Sequence, residues 1–271
     1  MTDAKPRPAR TFRKPTGLPS WPVLLLAGRE KTGKSFHAAL ASSSNLIDRT
    51  FWIGWGEKDP DEYGALDGAR FEIVVHNNRL DDLRASLEDV VAIPRTNKPH
   101  LLVVDSTTKI WETLREKAHY LAAQRGKRGP DGEFIVSMDL WNKVSMEWQG
   151  ILSTIRLHNG PVILTARLDT VSVVENGKPT GKKAEKIQGQ KSIAYDVDAI
   201  VEMPERGQAD LTGARSVIYR LPERTPLPDF TVDGLWRKLG LEKVHTAVPS
   251  YAEPRAVMDP ADPSYVAEES E

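Results

Sequence analysis

The clearest chemistry in this sequence lies in one short run, where Gly28, Arg29, Glu30, Lys31, Thr32, Gly33, Lys34 and Ser35 fit the pattern G-x-x-x-x-G-K-[ST] in full. The glycines let the backbone bend around a polyphosphate and offer it a series of N–H donors. Lys34 would then bridge the β- and γ-phosphates, and the Ser35 hydroxyl would complete the shell of a Mg²⁺ ion. The bland alternative is a glycine-rich turn that happens to carry Lys-Ser. The flanks argue against it: the apolar run Val23–Ala27 precedes the loop and a helical pattern follows. A helix beginning near Lys34 also turns the positive end of its dipole toward a bound anion. These residues predict binding of a nucleoside triphosphate with Mg²⁺.

Two carboxylates are placed to assist. Asp105 closes the apolar run Leu101-Leu102-Val103-Val104, where an acid at the end of a buried strand can hold the water shell of Mg²⁺. Its alternative role is to cap the next helix. Glu57 follows Phe51–Trp55, the first apolar run after the loop helix, and so emerges at the carboxyl edge where open α/β sheets bind ligands. A carboxylate there can polarise the attacking water. Its alternative is a surface acid in a charged turn with Lys58, Asp59, Asp61 and Glu62.

The elements that must position these groups read as α/β. Short apolar runs at Val23–Ala27, Phe51–Trp55, Phe71–Val75, Leu101–Asp105 and Val162–Ala166 alternate with helical patterns at Lys34–Ser43, Leu80–Ile93, Thr108–Gln124 and Leu140–Asn159. Ala199–Met203 and Ser216–Leu221 follow as a small C-terminal β extension. Leu140, Val144, Trp148, Ile151, Leu152 and Ile155 recur at three- and four-residue steps, so Trp148 and its neighbour Trp141 are expected to pack rather than stack on bases. Gly126–Gly132 reads as an exposed loop.

Composition bounds the rest. With 271 residues, 39% hydrophobic, the chain can bury one substantial core. We expect one domain over 20–245, a basic Pro-rich arm over 1–19 carrying Lys5, Arg7, Arg10, Arg13 and Lys14, and an acidic tail over 246–271 ending in Glu268, Glu269 and Glu271. The absence of cysteine excludes disulfides and thiolate metal sites, and the six histidines show no paired ligand spacing. No apolar run approaches membrane-spanning length and no signal peptide is evident, so a soluble, cytoplasmic protein is expected. A net charge of -1 means that any nucleic-acid contact must come from local patches.

Together, the loop with Glu30 in its third position, a Glu after the next strand, and Leu101–Asp105 followed by Ser106 resemble the RecA-type recombinase core. The likeness is nearest to the short phage proteins of the Sak single-strand-annealing group, described as AAA-type or nucleotide-binding. It runs from about Pro22 to Glu205 and includes Lys186–Ser192 ahead of Ala194-Tyr195-Asp196-Val197-Asp198. This resemblance implies a RecA-like P-loop NTPase with a mostly parallel sheet flanked by helices, working in a bacterial host's cytoplasm. It implies ATP as the nucleotide, Glu57 as the residue that activates water, and Asp61 and Tyr63 beside the adenine. Where the family carries a Gln that senses the γ-phosphate, this chain has Arg167, after Thr165 in Val162–Ala166. An Arg can contact a phosphate directly. The resemblance further implies that Leu168–Gln190 is a mobile loop touching single-stranded DNA, with Lys178, Lys182, Lys183 and Lys186 along the phosphate backbone. The residues alone equally permit a solvated hairpin turning at Asn176-Gly177. Lys191 resembles a lysine that reaches the neighbouring subunit's γ-phosphate, which implies self-association into a ring or filament.

Two other functional classes fit the loop. One is a different phosphate-loop enzyme, either a helicase motor or a small-molecule kinase using Arg125, Lys127 and Arg128 as a basic lid. The other is a non-catalytic scaffold that uses ATP as an assembly switch, favoured if Glu57 faces solvent.

Overall fold

The computed structural model describes residues 14–15, 17–175, 178–219 and 224–243. The arm up to residue 13, the Asn176-Gly177 turn and the acidic tail lie outside the described residues.

Strand β1 (Val23–Gly28) is buried along its whole length, as is β4 (Leu101–Asp105). Such continuous burial requires cover on both faces, and the alternation of strand side chains supplies it. Leu24, Leu26, Leu101 and Val103 join one apolar cluster, whereas Val23, Leu25, Leu102 and Val104 join a second. The first is covered by α1 (Lys34–Ala41) and α6 (Val232–Lys238). The second is covered by α2 (Leu80–Ala92), α3 (Thr107–Arg125) and α4 (Met138–Arg156). On α4 the fully buried residues are the six read from the sequence, including Trp148, which meets Trp111 edge to face at 5.9 Å. Trp141 packs partly buried at the rim.

The remaining strands are β2 (Thr50–Gly54), β3 (Glu72–Ile73), β5 (Val162–Glu175), β6 (Lys178–Gln188), β7 (Ala199–Met203), β8 (Asp210–Ala214) and β9 (Thr225–Pro226). They form one sheet in the order β3-β2-β4-β5-β1-β7-β8-β9, with β6 paired to β5. The pairs from β3 through β7 are parallel, and β6, β8 and β9 add antiparallel pairs. A short α5 (Ile193–Asp196) joins β6 to β7.

Two expectations need correction. The run Phe71–Val75 contributes a two-residue strand, and Val75 is 92% exposed because the chain leaves the sheet there. Ser216–Leu221 forms no strand over its described part; the C-terminal β extension is instead β8 and β9, which pair with β7 and each other. Of the two open readings of Leu168–Gln190, the structure has the antiparallel pairing of a hairpin, with Arg167 opposite Gln188 and Ser172 opposite Lys183. Among the described residues no helix is long and apolar enough to cross a membrane.

Candidate active site

The loop between β1 and α1 is built by close approach. A Cβ on Gly28 would lie 2.5 Å from the Thr32 hydroxyl and 2.9 Å from the Met203 carbonyl, so only glycine fits where β1 ends beside β7. Thr32 donates to the Arg29 carbonyl at 3.0 Å and holds the loop folded. Helix α1 begins after Gly33 with no side-chain cap and no acidic residue in its first turn. Its leading N–H groups and dipole are therefore left for an anion. Lys34 folds back over the loop, its Nζ donating to the carbonyls of Gly28 (2.9 Å) and Arg29 (2.7 Å). Burial lowers its pKa, opposed by the nearby charges of Asp105 and Glu57.

Asp105 ends β4 two strands from the loop, with β5 between. It is buried, and its carboxylate takes hydrogen bonds from the hydroxyls of Ser35 (2.7 Å, to Oδ2) and Thr165 (to Oδ1). Burial raises its pKa, and these hydroxyls oppose the shift. An interior carboxylate beside a hydroxyl favours a hard cation, and Mg²⁺ takes oxygen ligands of this kind, completing its shell with phosphates and water. Ser35 and Asp105 thus fit Mg²⁺. No cluster of three metal-ligating side chains exists among the described residues, so such an ion would need the phosphates.

Glu57 stands just past β2. Gly56 precedes it with φ of 66°, and a Cβ there would lie 2.9 Å from Lys109 Cβ, so the turn into Glu57 is tied to glycine. Trp55 anchors the turn, exchanging backbone hydrogen bonds with Asp105 and Ser106. Glu57 Oε1 accepts from Ser106 Oγ at 2.9 Å and from the Arg167 guanidinium at 2.8 and 3.2 Å. Arg167 is the register partner of Gly28 across β5 and β1, and its N–H donates to Thr108 Oγ1. The structure therefore brings Lys34, Ser35, Asp105, Glu57, Thr165 and Arg167 to one edge.

Other expected residues are not tied to this cluster by hydrogen bonds among the described residues. Asp61 is exposed in the 3-10 turn Asp61–Ala65, which packs on α1. Tyr63, in the same turn, is half-buried, and burial together with the charge of Asp105 raises its pKa. Lys183 and Lys186 are exposed on β6, which also carries Lys178 and Lys182. Lys191 is exposed in the turn before α5. Arg125, Lys127 and Arg128 lie exposed at the end of α3 and in the loop beyond it, away from the Asp105 cluster in sequence and in contact with that loop's own residues.

Several participants escaped the sequence reading. Ser106 steadies Glu57, Thr107 donates to the Thr165 carbonyl at 2.8 Å, and Thr108 ties the Gln188 carbonyl to β5. The run of three hydroxyl residues after Asp105 was the available signal. Arg29, a variable position of the loop, pairs with Glu185 of β6 at 2.5 Å and with Thr170 of β5 at 2.6 Å. That link could not be read from the sequence.

No protein-family model matches the chain, and no curated protein matches it. Among solved structures, the RadB recombinase is similar with 18% identity and a TM-score of 0.41, over 74% of this chain and 84% of that one. An ATPase from the type III secretion system of pathogenic bacteria is similar with 14% identity and a TM-score of 0.43, over 67% of this chain and 51% of that one. The fold class rests on the topology itself: a phosphate-loop turn from β1 into α1, β5 inserted between β1 and the acid-bearing β4, and helices on both faces. This is the α/β, RecA-like P-loop NTPase fold.

Proposed function

We propose that the chain binds ATP with Mg²⁺ at Gly28–Ser35 and hydrolyses it, coupling turnover to single-stranded DNA in phage recombination or strand annealing. The observation that carries the reading is the 2.7 Å contact of Ser35 with Asp105 at the mouth of a helix start left free of acidic residues. Lys34 turns from the loop carbonyls to the β- and γ-phosphates, and the open N–H groups of α1 receive the phosphate oxygens. Mg²⁺ on Ser35 and Asp105 would neutralise developing charge on the phosphates. Glu57, held in place by Ser106, takes the proton of the attacking water. Asp61 and Tyr63 border the base. Arg167 faces the γ-phosphate.

The DNA half of the proposal rests on the β5–β6 hairpin, where exposed Lys183 and Lys186 give a sequence-independent grip on phosphates. Self-association into a ring or filament would bring the exposed Lys191 to a neighbour's γ-phosphate. Glu57 is an exposed residue, and the catalytic reading is favoured over the scaffold because its carboxylate is nonetheless held by Ser106 and Arg167 beside the phosphate loop.

The test is ATP turnover by purified protein with and without single-stranded DNA. Mg²⁺-dependent hydrolysis stimulated by the strand supports the proposal. Phosphoryl transfer to a small molecule, or ATP binding with no turnover under either condition, would replace it with the kinase or the scaffold.

A further inference from the structure

Arg167 and Glu57 are separated by 110 residues, yet among the described residues the Arg167 guanidinium hydrogen-bonds to Glu57 alone. Both of those bonds, and the one from Ser106, end on a single oxygen, Oε1. A carboxylate oxygen offers about two lone pairs, so three donors fill it and fix its direction. The Arg167 backbone is meanwhile fixed twice over: its Cα is in register with Gly28 on β1, and its N–H is bonded to Thr108. Only the side chain is left to move. It is 39% exposed and pivots beside the first glycine of the phosphate loop. Lys34, at the start of α1, lies close enough to feel the Arg167 charge. Two cations and two carboxylates thus balance one another beside the phosphate loop.

We propose that Arg167 exchanges partners, giving up its clasp on Glu57 for the γ-phosphate when a triphosphate binds. This inference rests on the ATP-binding reading of the loop and deepens it. The exchange has two consequences. Arg167 discriminates triphosphate from diphosphate, because only the triphosphate supplies a group that competes for the guanidinium. It also frees Glu57 Oε1 for water only when there is a γ-phosphate to attack. Arginine suits this role because its planar fork binds carboxylate and phosphate in similar geometry. Breaking the Glu57 pair is then a cost of triphosphate binding that diphosphate binding does not incur, and this cost can be measured.

The experiment is a cycle of equilibrium titrations on the full chain with Mg²⁺, using a non-hydrolysable ATP analogue and, separately, ADP. The proteins are wild type, Glu57→Gln, Arg167→Gln and the double variant. Glu57→Gln is expected to bind the analogue up to about fivefold more tightly, the ceiling for a partly exposed ion pair, with ADP affinity unchanged. Arg167→Gln is expected to weaken the analogue tenfold or more and leave ADP unchanged, which also reports an intact fold. In the double variant the Glu57→Gln gain is expected to vanish, since there is no longer a clasp to break. If Glu57→Gln tightens the analogue equally with and without Arg167, Glu57 merely repels phosphate and the exchange is wrong. If it changes nothing, or tightens ADP as much, the exchange is also wrong. Wild type that binds neither nucleotide would overturn the ATP-binding reading itself, and the exchange with it.

Discussion

Strand β5 pairs with β1 from Val162 to Arg167 and with β4 from Val162 to Leu164, whereas from Leu168 onward it pairs with β6 alone. The first part is held by β1 along its length and by β4 at its start, with cover on both faces, and Val162 through Ala166 are all buried. The second part runs on past β1 and β4 with β6 as its neighbour, and exposed positions such as Asp169 and Ser172 appear along it. Within one strand, then, the same backbone geometry serves as core in one half and as a projecting arm in the other. Arg167 marks the boundary, and the candidate chemistry gathers there. The buried half fixes where Arg167 and Thr165 stand, and the half beyond it carries the lysines proposed to hold DNA. Arg29 of the phosphate loop grips that arm through Glu185 and Thr170, so the two halves are connected at the site.

The largest effect is expected at the boundary. Glu57→Gln should spare nucleotide binding while lowering turnover by roughly 10²- to 10⁴-fold, the usual contribution of a positioned general base. Unchanged turnover would remove Glu57 from the chemistry.

Next comes the contrast in stability between the halves. Leu164→Ala, in the buried half, should cost about 2–5 kcal/mol in denaturant unfolding, whereas Lys183→Ala on the arm should stay within about 0.5 kcal/mol. Equal costs would mean that the arm is part of the core.

The base of the buried half should also show a pH signature. His158, just ahead of β5, donates from Nε2 to the His100 carbonyl at 2.8 Å, and its Nδ1 has no partner among the described residues. Burial lowers its pKa to about 4. A charged imidazole is thus disfavoured in the fold but not in the unfolded chain. Its stabilising contribution is complete above about pH 6.5 and is lost as pH falls toward 4, by up to about 3 kcal/mol. Comparing wild type with His158→Gln at pH 7 and pH 4.5 measures it, and parallel losses in both proteins would remove His158 as the cause.

The smallest effect belongs to the arm. Lys183→Ala with Lys186→Ala should flatten the logarithmic salt dependence of single-strand binding by about 1.4, two phosphate contacts at about 0.7 each. An unaltered slope would leave the arm without a DNA role.

The same contrast explains what the sequence could convey. Strands β1 and β4 were legible because burial on both faces demands unbroken apolar runs, and the phosphate loop because its spacing is dictated by a ligand. Asp105 and Glu57 followed from their places after such runs. The extent of β5 was not legible, because its projecting half has neither unbroken apolar character nor a helical period; its hairpin form was only one of two open readings. The short β3 was overestimated, since Val75 looks like a strand residue and yet has no neighbour to cover it. Helix α6, at seven residues, offers too few turns for a clear period. The contacts that organise the site, Ser106 and Arg167 on Glu57, span 49 and 110 residues and exist only once the sheet order is known.

The most direct measurement is a titration of Mg²⁺-ATP into the wild-type chain and into Lys34→Ala. Saturable binding by the wild type, abolished in a folded Lys34→Ala, is the expected result. Equal binding by both proteins would place the nucleotide elsewhere, and absence of binding by the wild type would contradict the account of Gly28–Ser35.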